Sequence, residues 1–160
     1  MTRTRSLVGL GLWAALCLGA GAVGSVFTAG ARSDWYVTLA KPPWTPPDWL
    51  FGPAWAALYL TMAVAAWLAW RKDGVRWPRA KAFFLAQLLL NALWPALFFG
   101  LRMPGAAFGE LFALWVAVIL TFILFWRVTW RAGLLLVPYL AWTGFAAGLN
   151  LAIWMMNIQM

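Results

Sequence analysis

The sequence predicts an all-α integral membrane protein, folded as a bundle of five transmembrane helices. Hydrophobic residues make up 65% of the chain and charged residues only 10%, which is too little polar material to cover the surface of a water-soluble globule. Five apolar stretches have the roughly 20 residues that a helical crossing requires. They lack the two-residue alternation of a membrane β-barrel, so we predict one helical domain over residues 1–160.

The predicted spans follow one another closely. The first comes after Arg3 and Arg5, a start that also resembles a signal peptide. Its apolar stretch is long enough to cross a bilayer, and we interpret it as a retained helix. The short breaks between later spans predict antiparallel neighbours. The spans are expected at about residues 7–29, 49–70, 82–101, 105–126 and 132–156.

The basic residues predict the orientation of the bundle. Nine of the twelve Lys and Arg residues lie at the N-terminus and in the breaks at 71–81 and 127–131, while three lie in the 30–48 break and at Arg102. By the positive-inside rule the N-terminus faces the cytoplasm and the C-terminus lies outside. This placement also accounts for the net charge of +8, so we predict no nucleic-acid partner.

Few residues of the chain are suited to familiar catalytic chemistry. The sequence contains no histidine, one cysteine and four acidic residues, and it has no glycine-rich phosphate loop. These counts argue against a metal site, a nucleophilic enzyme and tight haem ligation. We predict a binding protein that needs no metal and no resident cofactor.

Polar and aromatic side chains recur at helical spacing inside three spans, where an unpaired polar group is costly. Taken singly, each stripe is better explained by interhelical hydrogen bonding and packing. Together, on three helices, the stripes favour a shared cavity for a flat aromatic molecule. They comprise Phe51, Trp55 and Tyr59 in the second span, Gln87, Asn91, Trp94 and Phe98 in the third, and Tyr139, Trp142, Ala146 and Asn150 in the fifth.

Prolines indicate how such a cavity would be kept open and covered. Pro53, Pro95 and Pro138 lie in the same three spans and can bend their helices. Four more prolines stiffen the aromatic connection at 30–48, which we expect to lie over the cavity. An interfacial belt of aromatic residues is the alternative interpretation of this loop.

Glu110 is the only carboxylate well inside an apolar run. Ionisable residues within a membrane are candidates for function. Glu110 lies about 8 Å from the start of its helix, so both a ligand contact and a snorkelling interfacial role remain open.

Three ordered segments resemble the TspO/translocator protein family, also called peripheral-type benzodiazepine receptors. WTPPDWLFGPAWAALY at 44–59 is similar to the signature of that family, and QLLLNALWPALFFG at 87–100 and VPYLAWTGFAAGLN at 137–150 are similar to its third- and fifth-helix motifs. The resemblance covers most of the chain. It implies a five-helix bundle, frequently a homodimer, with the first loop as a lid over the cavity.

The resemblance also implies a function and a set of residues. The ligand would be a porphyrin or related tetrapyrrole, such as protoporphyrin IX or haem, and synthetic isoquinoline or benzodiazepine ligands would enter the same cavity. Trp55 and Trp142 would be the pair implicated in porphyrin binding and in its light-dependent breakdown. With the stripes, the expected ligand-binding residues are Tyr36, Trp44, Phe51, Trp55, Gln87, Asn91, Trp94, Phe98, Glu110, Tyr139, Trp142, Ala146 and Leu149.

Three functions therefore remain as alternatives. The first is a tetrapyrrole receptor or sensor, the second is light- and oxygen-dependent porphyrin degradation, and the third is transport of a tetrapyrrole or sterol. The proposed sterol-recognition segment of animal members is incomplete here, since Leu151 follows Asn150 and no basic residue comes after it. The resemblance and the absence of a transit sequence suggest a bacterial cell envelope.

Overall fold

The structure, a computed structural model, describes residues 2–31, 35–72 and 77–158. These ranges contain helices and no β-strand, which confirms the predicted all-α class. Five helical segments are long and apolar enough to cross a membrane. Parts of the predicted 30–48 loop and of the 71–81 break lie outside the described residues.

The helices begin and end close to the predicted spans. The third starts five residues before the predicted position because Pro78 lies in its first turn, where a proline without an N–H is tolerated. The predicted first loop contains a short helix. In chain order the elements are α1 (Arg3–Ala31), α2 (Trp35–Thr38), α3 (Asp48–Lys72), α4 (Trp77–Pro95), a π-helical turn (Ala96–Gly100), α5 (Pro104–Val128) and α6 (Trp130–Met156).

The five long helices form a closed ring in which sequence neighbours are not always spatial neighbours. Helix α1 packs against α3 and α4, α3 packs against α6, and α6 and α4 both pack against α5. The ring order is therefore α1, α3, α6, α5, α4. This arrangement brings the three helices that carry the aromatic stripes, α3, α4 and α6, toward one interior.

The core is filled at the end of the bundle that carries most of the basic residues, which we call the basic end. Phe84 of α4 stacks on Phe125 of α5 with ring centroids 5.5 Å apart, and Trp13 of α1 meets Phe84 edge-on at 5.7 Å. Alanines such as Ala66 and Ala80 are fully buried beside them. Small side chains let helix backbones approach closely, so the rings fill the remaining space.

The opposite end, the loop end, is covered by the segment that joins α1 to α3. Tyr36 and Leu39 are buried there against Phe98 and Phe99 of the π-helical turn. The loop then turns at Thr45, whose backbone N–H and side-chain hydroxyl both donate to the Pro42 carbonyl.

Candidate functional site

A cavity of about 560 Å³ lies between α1, α3, α4 and α6, at the loop end of the bundle. Its volume falls within the range of pockets that hold small molecules, roughly 300–1,000 Å³. The described residues that line it are aromatic, aliphatic, small or uncharged polar, and none of these is Lys, Arg, Asp or Glu. The interior therefore suits an apolar ligand body with few hydrogen-bonding groups.

Nine of the residues expected from the sequence line this cavity, and four do not. Gln87 and Tyr139 lie behind the lining, Trp44 lies in the covering loop, and Glu110 lies on α5, which contributes no lining residue. The nine are Tyr36, Phe51, Trp55, Asn91, Trp94, Phe98, Trp142, Ala146 and Leu149.

Aromatic rings form the wall between α3 and α6. Trp55 and Trp142 meet nearly perpendicular, with centroids 6.5 Å apart and planes at 87°. Phe51 packs edge-on against Trp142 at 6.0 Å, and Trp55 also contacts the rings of Tyr59 at 5.7 Å and Tyr139 at 6.3 Å. In this pair the edge of one indole ring meets the face of the other, an arrangement that aromatic quadrupoles favour.

A chain of polar side chains joins α3, α4 and α6 below this wall. The Tyr59 hydroxyl donates to Asn91 Oδ1, and Asn91 Nδ2 donates to the Tyr139 hydroxyl at 2.8 Å. That hydroxyl donates in turn to Gln87 Oε1 at 2.7 Å. Each buried polar group gains the partner that a membrane interior requires. The stripes predicted on these helices therefore meet through hydrogen bonds, and Asn91 and Tyr59 still face the cavity.

A second polar contact fixes the wall near the loop end. Trp94 Nε1 donates to Asn150 Oδ1 at 3.0 Å, and Asn150 Nδ2 donates to the Pro104 carbonyl at 2.8 Å. These bonds connect α4, α6 and the first residue of α5. Trp94 and Asn150 both line the cavity, so their bond orients the Trp94 ring.

Pro95 marks a change of helix type that places two phenylalanines at the cavity. Since proline lacks an N–H, the α-helical pattern cannot continue regularly through it, and the next five residues form a π-helical turn. Such turns are frequent at functional sites. Phe98, stacked on Trp94 at 5.2 Å, and its neighbour Phe99 both line the cavity. The sequence stripe predicted Phe98 but not Phe99.

Helix α1 supplies a wall of small residues that sequence reasoning missed. Gly21 packs directly against the Tyr59 ring, and a Cβ at Gly24 would come 3.1 Å from Pro95 Cγ. Ser25, Thr28 and Ala29 continue the lining. The available signal was the density of glycine, alanine and serine in the first span, which a search for aromatic and amide side chains passes over.

Two buried polar groups have no hydrogen-bond partner among the described residues. One is Trp142 Nε1, on a side chain that lines the cavity. A buried N–H without a partner is costly. Because the Nε1 atom is itself buried, Trp142 meets the cavity through other atoms of its side chain and not through this N–H. The other is the Glu110 carboxyl, whose two oxygens are both buried. The cavity does not reach Glu110, so its predicted ligand contact stays a prediction.

Two contacts of the described loop residues attach the covering loop to the region of α6. Trp44 packs edge-on against Phe145 at 5.8 Å, and Phe145 contacts Trp142 at 5.6 Å. Beyond the end of α6, Asn157 Oδ1 accepts from the Ala40 N–H at 3.0 Å while its Nδ2 donates to the Ala40 carbonyl at 2.9 Å. The sequence gives no sign of this paired contact, because Ala40 and Asn157 are far apart in the chain.

Comparison with known proteins identifies relatives of nearly the whole chain. Residues 13–155 match the TspO/MBR family. The tryptophan-rich protein TspO of Archaeoglobus fulgidus is 46% identical over 140 residues, covering 88% of this chain and 91% of that protein. The translocator protein of Homo sapiens is 38% identical, covering 84% and 82%. The tryptophan-rich sensory protein of Cereibacter sphaeroides is 37% identical, covering 91% and 92%.

Proposed function

The chain belongs to the TspO/MBR family, and from that premise we propose that it is a membrane receptor or sensor whose cavity binds porphyrins and related tetrapyrroles. Family membership and the names of two relatives, translocator protein and tryptophan-rich sensory protein, support the receptor or sensor role. The choice of tetrapyrroles rests on the resemblance of the three motifs and on the form of the cavity.

The observation that carries the proposal is the uncharged aromatic cavity built around Trp55 and Trp142. A tetrapyrrole macrocycle is flat and largely apolar, so it can stack on ring faces such as that of Trp94. Synthetic isoquinolines and benzodiazepines are likewise aromatic and largely apolar, so they match the same cavity.

The carboxylates of a natural porphyrin need a different environment from the macrocycle. At the loop end Lys41 lies next to the cavity lining, since its Nζ lies 4.4 Å from the centroid of the Tyr36 ring. Tyr36 itself lines the cavity. We therefore expect the macrocycle against the aromatic wall of Trp55 and Trp142 and at least one carboxylate near Lys41.

A titration of the purified protein with protoporphyrin IX tests the proposal. The wild-type protein should show saturable quenching of tryptophan fluorescence. A Trp55→Ala/Trp142→Ala variant should bind at least about 30-fold more weakly, since aromatic residues at the centre of a site contribute about 2 kcal/mol or more. Absorbance of the bound porphyrin gives a second readout that does not depend on the number of tryptophans.

The matched control is Trp49→Ala/Trp130→Ala. These two tryptophans are 71% and 53% exposed and neither lines the cavity, so the porphyrin affinity should stay at the wild-type value. Equal affinity in wild type and in the cavity variant would refute the proposed site. Failure of the wild-type protein to bind any porphyrin would refute the proposed ligand class.

One observation favours a second candidate, light- and oxygen-dependent degradation of the bound porphyrin. Trp55 lies in contact with Trp142, Tyr59 and Tyr139, so an excited porphyrin in the cavity would lie beside three oxidisable rings of the lining, with Tyr139 behind them. Illumination of the aerated complex should then consume porphyrin faster than illumination of free porphyrin in detergent. A Trp55→Phe/Trp142→Phe variant that binds porphyrin should lose this excess rate. Equal rates for bound and free porphyrin would exclude the candidate.

A further inference from the structure

A second concave surface lies on the outside of the bundle at the basic end, away from the cavity. It is a groove of about 390 Å³ between α1 and the last turns of α3. Among the described residues, Arg5 is the only charged one that lines it, and the rest are apolar or glycine, including Leu12, Leu16 and Trp70. Gly9 has no side chain, and the Trp70 ring packs directly on its backbone at the side of the groove.

The length of the groove corresponds to one leaflet of a bilayer. The stripe from Arg5 to Leu16 spans roughly 16 Å along α1 at 1.5 Å per residue. Half of the hydrocarbon core is about 15 Å thick. With Arg5 at the level of the headgroups, the apolar stripe, which passes through Leu12 and ends at Leu16, therefore ends near the middle of the membrane. Leu12 is 67% exposed, so its side chain is available to a lipid tail.

Positive charge gathers at the headgroup end of the groove. The Trp67 indole N–H donates to the Ser6 carbonyl at 2.8 Å, which ties α3 to α1 beside Arg5. The Arg71 guanidinium packs over the same indole at 4.7 Å. Arg5 lines the groove itself, and Arg71 lies on the neighbouring helix at the same end of the bundle. Guanidinium groups bind phosphate oxygens through paired, charge-assisted hydrogen bonds.

From these features we propose that the groove is a binding site for an anionic phospholipid. One acyl chain lies along Val8, Leu12 and Leu16, and the phosphate contacts Arg5 with Arg71 nearby. The positive-inside rule assigns this end to the cytoplasmic leaflet, where anionic lipids are attracted to basic residues next to the membrane. This site does not depend on the identity of the cavity ligand.

Native mass spectrometry of the purified protein tests the site. The protein is mixed with equal amounts of phosphatidylglycerol and phosphatidylcholine with identical acyl chains, and the lipids that stay bound are compared. Wild type should retain phosphatidylglycerol preferentially. Arg5→Gln should reduce that preference about fivefold, the effect of one basic residue near a membrane surface, while Arg5→Lys should keep most of it.

Two controls separate the groove from general charge and from general hydrophobicity. Arg79→Gln removes an exposed charge from the basic end outside the groove and should leave the preference unchanged. Leu12→Gln should reduce retention of both lipids, whereas Leu89→Gln should not, since Leu89 is 74% exposed on α4 and lines no part of the groove. Helix content by circular dichroism verifies that each variant folds.

Equal retention of the two lipids by the wild type would overturn the proposal. An equal loss of preference in Arg79→Gln and Arg5→Gln would also overturn it, since the preference would then follow the total charge of this end.

Discussion

The two ends of the bundle contain similar side chains but differ in whether those side chains fill the interior. At the basic end Phe84 and Phe125 stack with centroids 5.5 Å apart, and at the loop end Trp94 and Phe98 stack at 5.2 Å. At the basic end, buried side chains pack closely around this pair. The loop end keeps a cavity of about 560 Å³ beside its pair.

The difference comes from the backbone that carries the rings. Buried alanines bring the helices together at the basic end. At the loop end, Pro53 and Pro95 interrupt helical hydrogen bonding, the π-helical turn widens α4, and α1 contributes small side chains such as Gly21. The hydrogen-bonded chain from Tyr59 to Gln87 separates the two regions. Aromatic content alone therefore does not make a cavity, because helix spacing decides whether rings fill or line the interior.

The largest expected effect is on stability at the basic end. Phe84→Ala should lower the free energy of unfolding by roughly 3 kcal/mol, the low end of the range for a buried Phe→Ala change. The low end applies because separated helices in a membrane still hold the ring in lipid and not in water. Trp55→Ala should cost less, since it enlarges an existing cavity. Thermal unfolding in detergent measures both. A smaller loss for Phe84→Ala than for Trp55→Ala would contradict the distinction between the ends.

An intermediate effect is expected at the polar layer between the ends. Tyr139→Phe removes one hydroxyl and leaves Asn91 Nδ2 and Gln87 Oε1 without their partner, so stability should fall by about 1–2 kcal/mol. Thr121→Val is the control, because the Thr121 hydroxyl bonds only to the Ala117 carbonyl of its own helix. Thermal unfolding of both variants provides the test. Equal stability losses would show that the hydrogen bonds between helices in this layer contribute no more to stability than a hydrogen bond within one helix.

A kinetic effect is expected at the cover of the loop end. Asn157→Ala removes two hydrogen bonds to Ala40, so the loop should open more easily and a bound ligand should dissociate about tenfold faster, as expected for a loss of about 1.4 kcal/mol. Thr38→Ala is the control, since the Thr38 hydroxyl bonds only to Trp35 in the same short helix. Stopped-flow release of porphyrin measures the rate. An unchanged rate in Asn157→Ala would mean that the loop is not what retains the ligand.

The smallest expected effect concerns charge at the loop end. Lys41→Gln should weaken binding of protoporphyrin IX by up to about fivefold, the range of an exposed ion pair, and should leave binding of its dimethyl ester unchanged. Arg102→Gln, which removes an exposed cation at the same end, should affect neither ligand. Parallel titrations with the acid and the ester measure this difference. Equal weakening for both ligands would show that Lys41 acts through packing on Tyr36.

Several contacts of the site were predictable from spacing on single helices. Asn91 and Trp94 lie on one face of α4, and Trp55 precedes Tyr59 by one helical turn, so each pair had to point the same way. Spacing could not distinguish the residues that line the cavity from those behind it. Gln87 and Tyr139 share the faces of Asn91 and Trp142, yet they lie deeper, where helix packing closes around them.

Other parts of the site had no local signal. The glycine-rich wall of α1 depends on which helices become neighbours. The pairing of Asn157 with Ala40 depends on where α6 ends relative to the loop. Phe99 reaches the cavity only because the π-helical turn after Pro95 changes the angular spacing of the side chains. Each of these features depends on how segments that are distant in the chain pack against one another.

The sequence by itself determined that five helices cross the membrane, because in lipid every backbone polar group must be satisfied within its own segment and about 20 apolar residues are needed for each crossing. The tertiary structure decided the ring order of α1, α3, α6, α5 and α4 and the inward face of each helix. A span that is apolar all round shows no preferred face by periodicity. Packing of side chains between helices, together with the hydrogen bonds of Asn91, Tyr139 and Asn150, determines which face of each helix points inward.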